Sequence, residues 1–285
     1  MSVLIYTVLS LVVLGVFLAV VLYFVAQRFH VEEDPRIDEV EAMLPGANCG
    51  ACGYPGCRGM ADALVVRPDI SELYCPVGGA ATMGAVAQFL GKAATEREPE
   101  VAVVRCAGSC ALRDGVAVRQ RRNVFDGARS CAVEAATYAG ETGCSFGCLG
   151  QGDCVEVCAF DAIKMNPATG LPEVDDAKCT ACAKCVKACP KSIIELRRKG
   201  PKSRRVFVSC INKDKGAVAR KACAVACIGC GKCVKVCTFE AITMENNLAY
   251  IDPAKCKLCR KCVTECPTAA IIEVGFPPKK DVENK

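Results

Sequence analysis

The chain contains no tryptophan and one histidine, and aromatic residues make up only 6% of its 285 positions. A lone histidine, His30, far from every cysteine group, leaves little room for imidazole acid–base catalysis or for zinc sites that mix cysteine with histidine. The few aromatics do not interleave with the basic residues, which argues against a stacking platform for nucleic acid. No G-x-G-x-x-G follows a strand and opens a helix, so a dinucleotide fingerprint is missing, and no flavin-binding pattern stands out. Charge is also missing from the N-terminal end: no ionisable side chain other than tyrosine occurs before Arg28.

That uncharged stretch, Val3 to Ala26, is interrupted only by Tyr6, Thr7, Ser10, Gly15 and Tyr23. It is long enough to cross a bilayer as one helix, and it has no polar stripe that would mark a buried core helix. A cleaved signal peptide is the rival reading, opposed by the missing basic n-region and A-x-A site. Arg28 on its C-terminal side places the remainder of the chain in the cytoplasm by the positive-inside tendency. Residues 1–27 are therefore read as a transmembrane anchor, and His30 as an interfacial side chain.

Against these gaps stands one excess: 25 cysteines. An odd count, grouped in tight C-x2-C pairs, does not suit a disulfide framework. Cys179, Cys182, Cys185 and Cys189 read C-x2-C-x2-C-x3-C-P, and Cys256, Cys259, Cys262 and Cys266 repeat that run with its proline. This spacing binds bacterial [4Fe–4S] clusters, with the fourth cysteine ligating the other cluster of a pair. Thiols that bind iron need a reducing compartment, in agreement with the cytoplasmic orientation. Four-cysteine zinc sites usually combine two separated pairs, whereas four ligands run together here.

An internal repeat organises the rest. Residues Cys158 to Met165 (CAFDAIKM) match Cys237 to Met244 (CTFEAITM), and each segment precedes a turn, a short strand and a cysteine run. Asn166-Pro167 and Asn246-Asn247 supply hairpin turns. Two two-cluster modules follow, 101–200 with a leading strand region and 201–276, with a tail at 277–285. The crossed pattern assigns Cys227, Cys230, Cys233 and Cys266 to one cluster and Cys256, Cys259, Cys262 and Cys237 to another. In the first module it joins Cys179, Cys182 and Cys185 to Cys158. The partner cluster takes Cys144, Cys148, Cys154 and Cys189, from a run whose C-x3-C-x5-C-x3-C spacing departs from the rule.

A separate domain, 32–95, follows an acidic connector (Glu32-Glu33-Asp34-Pro35). Its Cys49, Cys52, Cys57 and Cys75, spaced C-x2-C-x4-C-x17-C among glycines, complete a fifth [4Fe–4S] site, with a helix from Arg58 to Val66 between the third and fourth ligands. A further apolar helix is expected between Pro76 and Glu96, and a charged linker at Glu96 to Glu100. Five cysteines remain: Cys106, Cys110, Cys131, Cys210 and Cys223. Val101 to Cys106 resembles Val206 to Cys210, and Cys131-Ala-Val resembles Cys223-Ala-Val. The simpler reading takes these five as buried thiols that pack strand on helix. The alternative is a further metal site built on Cys106, Cys110 and Cys131, which lacks a fourth ligand. The fold class expected is α+β: one transmembrane helix, a small cluster domain and two ferredoxin-like modules.

The anchor, the LPGANCGACG motif at Leu44 to Gly53 and the downstream ferredoxin modules together resemble the B subunit of the Rnf complex, the ion-translocating ferredoxin:NAD+ oxidoreductase of bacteria. The resemblance covers essentially the whole chain, which departs from the shorter members by carrying two ferredoxin modules. It implies an electron-relay subunit in the bacterial cytoplasmic membrane that takes electrons from soluble ferredoxin and passes them to membrane and flavoprotein subunits. No complete site for NAD+ reduction lies in this chain, and no ion path is expected through one uncharged helix. A membrane-bound polyferredoxin serving a hydrogenase or other redox partner is the alternative. The basic segment containing Arg197, Arg198, Lys199, Lys202, Arg204 and Arg205 is expected to form a docking face for soluble ferredoxin.

Overall fold

The computed structural model describes residues 2–28, 34–93, 98–110, 112–113 and 116–277. His30, Glu32 and Glu33 of the acidic connector, residues 94–97 (which include Glu96 and Arg97 of the linker) and the tail after residue 277 lie outside the described residues. The first element, α1 (Ser2–Arg28), contains the apolar run, and from Ile5 onward its side chains are exposed throughout. The segment Ile5–Arg28 has 24 residues. At the rise of an α-helix that spans about 36 Å, more than the roughly 30 Å of a bilayer's hydrocarbon core. A helix apolar on all sides and packed against nothing in its own chain fits a membrane-associated protein.

Three helices build the next unit: α2 (Arg36–Met43), α3 (Cys57–Val66) and α4 (Gly79–Leu90). Their apolar faces meet in a core of Ile37, Val40, Met60, Leu64, Met83 and Val86, each at most 5% exposed. Arg58 on α3 reaches Asp38 and Glu41 on α2 at 2.5 and 2.9 Å, tying the two helices together at the surface. Beyond α4, the Lys92 ammonium donates to the carbonyls of Leu64, Val65 and Arg67, the unpaired acceptors at the end of α3.

The remainder is one packed body of short helices and two-stranded antiparallel sheets. Strand β1 (Glu100–Val104) is followed by β2 (Leu112–Arg113) and β3 (Val116–Ala117), which pair with each other, and by α5 (Cys131–Thr137) and α6 (Asp153–Glu156). Next come β4 (Ile163–Asn166) and β5 (Leu171–Val174), α7 (Lys184–Ala188) and β6 (Ile194–Arg198), which pairs with β1. The second half has β7 (Arg205–Val208), α8 (Gly216–Ala222), α9 (Lys232–Lys235), β8 (Ile242–Glu245), β9 (Leu248–Ile251), α10 (Lys261–Glu265) and β10 (Ile271–Val274), with β7 on β10 and β8 on β9. Both sequence-predicted hairpins form. In the second, Asn246 and Asn247 both adopt left-handed backbone (φ 47° and 62°), as a two-residue type I′ turn requires.

The halves interlock. Strand alternation sends Ala102 and Val104 of β1 toward Ile163 and Ile194, while Val101 and Val103 pack on Phe207 of β7, with Ile272 and Val274 beside them. The Ala107 N–H donates to the Ser209 carbonyl, the Ala224 N–H to that of Val118, and the Arg105 guanidinium to those of Val208 and Cys210.

This packing removes two residues, Arg197 and Arg205, from the expected docking face. Arg197 is only 2% exposed; it pairs with Glu195, donates to the Ile251 carbonyl at 2.9 Å and lies over the rings of Tyr250 and Phe207. Arg205 is also buried and grips Asp176 with two bonds of 2.6 Å. Arg204 lies over Phe276, and Arg198 is exposed but paired with Glu98. Strand β7 is buried along its whole length and β6 buries Arg197 beside exposed Arg198, so two arginines read as part of a surface run from the sequence become interior pairs.

Candidate iron–sulfur sites

Four helices carry cysteines in one recurring geometry. In α6, α7, α9 and α10 the second residue is a buried cysteine: Cys154, Cys185, Cys233 and Cys262. The residue before each helix is left-handed, as is the residue two positions earlier: Gly150 and Gly152, Ala181 and Ala183, Gly229 and Gly231, Leu258 and Arg260. These paired reversals curl the backbone so that successive cysteines converge. Two of the runs place non-glycine residues there, a conformation that costs an L-residue about 1 kcal/mol each.

Each curl opens on a group of thiols. Cys227, Cys230, Cys233 and Cys266 line one cavity, and Cys237, Cys256, Cys259 and Cys262 another. Cys185 has the thiols of Cys179, Cys182 and Cys158 as neighbours. In the N-terminal unit, Cys75 neighbours Cys52 and Cys49, and Cys57 is the first residue of α3. The Asn48 side-chain carbonyl accepts the Cys57 N–H at 2.7 Å and so fixes the Cys49–Cys57 loop to that helix.

The fourth run departs from the sequence expectation. Cys148, Cys154 and Cys189 line a cavity, but the fourth cysteine there is Cys131, and Cys144 lies elsewhere. The reason is legible once the runs are superposed: Cys148-Leu-Gly-Gln-Gly-Asp-Cys154 matches Cys227-Ile-Gly-Cys-Gly-Lys-Cys233, with Gln151 in the place of the central cysteine. Cys131 comes in from α5 instead. Asp153 holds it there, since its carboxylate accepts the N–H groups of Cys131 and Ala132 at 2.6 and 3.1 Å and the Ser130 hydroxyl at 2.9 Å. Those bonds satisfy the open N-terminus of α5 and keep the Asp153 carboxyl below its usual range, although burial pulls the other way. The C-x3-C-x5-C spacing concealed this. The resemblance of Cys131-Ala-Val to Cys223-Ala-Val is not a structural equivalence, because Cys131 opens α5 whereas Cys223 follows the end of α8.

The donor chemistry suits iron–sulfur clusters. Backbone N–H groups point at the sulfurs: Gly78 to Cys75 at 3.4 Å, Ala162 to Cys158 at 3.4 Å, Ile193 to Cys189 at 3.5 Å and Ala270 to Cys266 at 3.3 Å. Such donors stabilise sulfur-borne negative charge and tune the potential. Burial pushes the Cys148, Cys185 and Cys262 thiols up to about 12, and those of Cys154 and Cys233 up to about 11. Thiols so placed give up their protons at neutral pH only to a coordinating cation.

Comparison with known proteins agrees. Residues 44–70 match a family model described as "Putative Fe-S cluster", and residues 142–193 and 226–270 match the 4Fe-4S dicluster domain. The B subunit of the Na(+)-translocating ferredoxin:NAD(+) oxidoreductase complex of Acetobacterium woodii is 47% identical over 91% of this chain and 74% of its own length. Its proton-translocating counterpart from Clostridium ljungdahlii is 40% identical over 91% and 88%, and the B subunit of the ion-translocating oxidoreductase complex of Methanosarcina acetivorans 38% identical over 95% and 98%. The chain thus belongs to the family of Rnf complex B subunits and is an iron–sulfur electron-transfer protein of that complex, carrying [4Fe–4S] clusters.

Proposed function

We propose that the chain accepts electrons from reduced ferredoxin and relays them, cluster to cluster, toward the other subunits of an ion-translocating ferredoxin:NAD+ oxidoreductase. The single observation that supports it best is the set of converging cysteine groups on a chain with one apolar helix. In this reading five [4Fe–4S] clusters are held by Cys49/Cys52/Cys57/Cys75, Cys158/Cys179/Cys182/Cys185, Cys131/Cys148/Cys154/Cys189, Cys227/Cys230/Cys233/Cys266 and Cys237/Cys256/Cys259/Cys262. The α+β arrangement of anchor, cluster domain and two ferredoxin-like modules is part of the same proposal, with the cluster-bearing part on the cytoplasmic side.

When bound, the clusters supply one-electron chemistry. The chain's own part is to hold the thiolates, point N–H groups at the sulfurs and exclude water. NAD+ reduction and ion movement belong to partner subunits. Relatives named for sodium and for proton translocation both align across 91% of this chain, which suits an ion path lying outside it.

Electron entry is assigned to the C-terminal module. Of the 25 cysteines only Cys230 and Cys259 are exposed. The exposed lysines Lys232, Lys235, Lys257 and Lys261 sit beside them in the chain and replace the buried arginines as the site that attracts an acidic ferredoxin. Charge reversal in a Lys232→Glu/Lys257→Glu double variant is expected to slow reduction by ferredoxin about tenfold or more at low salt and to flatten its salt dependence. Arg198→Glu should change neither. Equal rates for all three proteins would remove the lysine site.

A further inference from the structure

Moving Cys131 into the Cys148 group leaves Cys144 without the partners the sequence suggested. It lines a separate cavity with Cys106, Cys210 and Cys223, three of the cysteines that the spacing rules do not place. The four sulfurs come from both halves of the molecule: Cys106 follows β1, Cys144 precedes the Cys148 run, Cys210 follows β7 and Cys223 follows α8. Cys144, Cys210 and Cys223 are each at most 9% exposed.

Three further features distinguish this group from idle buried thiols. First, N–H donors aim at its sulfurs as they do at the regular runs: the Asn212 backbone N–H meets Cys210 Sγ at 3.4 Å, and its side-chain amide meets Cys144 Sγ at 3.5 Å. Asn212 is itself only 1% exposed. Second, Arg119, 6% exposed, lines the cavity with Nε and one terminal nitrogen lacking any hydrogen-bond partner, while its other nitrogen donates to the Cys148 carbonyl. A buried guanidinium with free donors calls for an anion, and four thiolates around an iron–sulfur core carry net negative charge. Third, the space between its walls, open solvent included, is about 320 Å³, close to the 350, 370 and 350 Å³ of the three spaces that the regular runs and the Cys131 group line. Similar walls and similar size suit the same guest.

We propose that Cys106, Cys144, Cys210 and Cys223 ligate a sixth [4Fe–4S] cluster, with Arg119 balancing its charge, at the junction of the two ferredoxin modules. The inference rests on the cluster-bearing reading above. Its position gives it a function. Cys106 neighbours Cys148 of the first module, and Cys210 neighbours Cys227 of the second. Within the modules, Cys154 neighbours Cys185, and Cys233 neighbours Cys262. A cluster at the junction therefore joins two pairs into one continuous row of five, so that each electron hops between neighbours from one module to the other.

The test is iron and acid-labile sulfide counted on the full chain, purified anaerobically in detergent and reconstituted. Six cubanes give about 24 iron atoms per chain, against about 20 for five. Cys106→Ser and Cys223→Ser should each lose about four, a sixth of the total, and should stop electrons given to the C-terminal module from reaching the first. Cys110→Ser, at a cysteine in none of the four cavities, should lose none. If a variant fails to fold, the wild-type count still decides. A count near 20, or full iron in both serine variants, would overturn the sixth site alone. A wild-type chain without iron would overturn this site and the electron-relay reading together.

Discussion

Gln151 stands where the regular runs have their central cysteine, and Cys131, twenty residues upstream, lines the same cavity as Cys148, Cys154 and Cys189. Two substitutions test that exchange. Cys131→Ser is expected to lose one cluster, about four iron atoms per chain. Adding Gln151→Cys to it should restore the regular C-x2-C-x2-C run and recover the lost iron, at a cost in stability because the buried Glu134 carboxylate loses the Gln151 amide that donates to it. Iron quantitation on the single and double variants checks both outcomes; a double variant as depleted as the single one would contradict the equivalence. The case also marks how far residues alone could be read. The runs at Cys179 and Cys256 are recognisable in the chain because their cysteines follow one another at short, regular spacing. Cys131 is not, because its role depends on a carboxylate, Asp153, that captures a helix terminus from across a fold. The inward turn of Arg197 and Arg205 was hidden for a related reason, since a basic run on a strand reveals its buried face only when both neighbouring layers are in place.

At the scale of elements, the cluster-binding helices are too short to be stable by themselves, with four or five residues each. Helices of that length persist only where tertiary contacts or a metal core hold them. The longer α3 has a different support. Gly56 before it offers no side-chain cap, and Asn48 takes that role from the other end of the cysteine loop while itself left-handed at φ 45°. Asn48→Ala removes the bond and places an alanine in left-handed backbone, a combined loss of about 2 kcal/mol. Asn48→Gly keeps the backbone relaxed and loses only the side chain's bonds, the one from the Cys57 N–H and a longer one to the Gly46 carbonyl, about 1 kcal/mol. Denaturant midpoints of the two variants, followed at the N-terminal cluster's absorbance, should fall in that order; equal midpoints would show that the bond does not hold the loop. The helix spans and hairpins were readable from periodicity and turn residues, because α3, α4 and the Asn246-Asn247 turn are set by local sequence.

For the whole molecule, order along the chain and order in space diverge. The anchor and the cluster domain follow each other simply, but the two ferredoxin modules share Val101, Val103 and Phe207 in one core and meet again around Cys106, Cys144, Cys210 and Cys223. The duplication seen in the sequence is therefore not two beads on a string. An electron entering near Cys259 or Cys230 finds its next neighbours inside the same body. That continuity is what distinguishes a relay from a store of separate carriers. It is tested most directly by low-temperature EPR of the anaerobic full chain, recorded before and after stepwise addition of reduced ferredoxin. Ferredoxin alone should elicit the signals of reduced [4Fe–4S] clusters from both modules, broadened by coupling between neighbours. No cluster signal, or signals confined to the C-terminal module at full reduction, would contradict it.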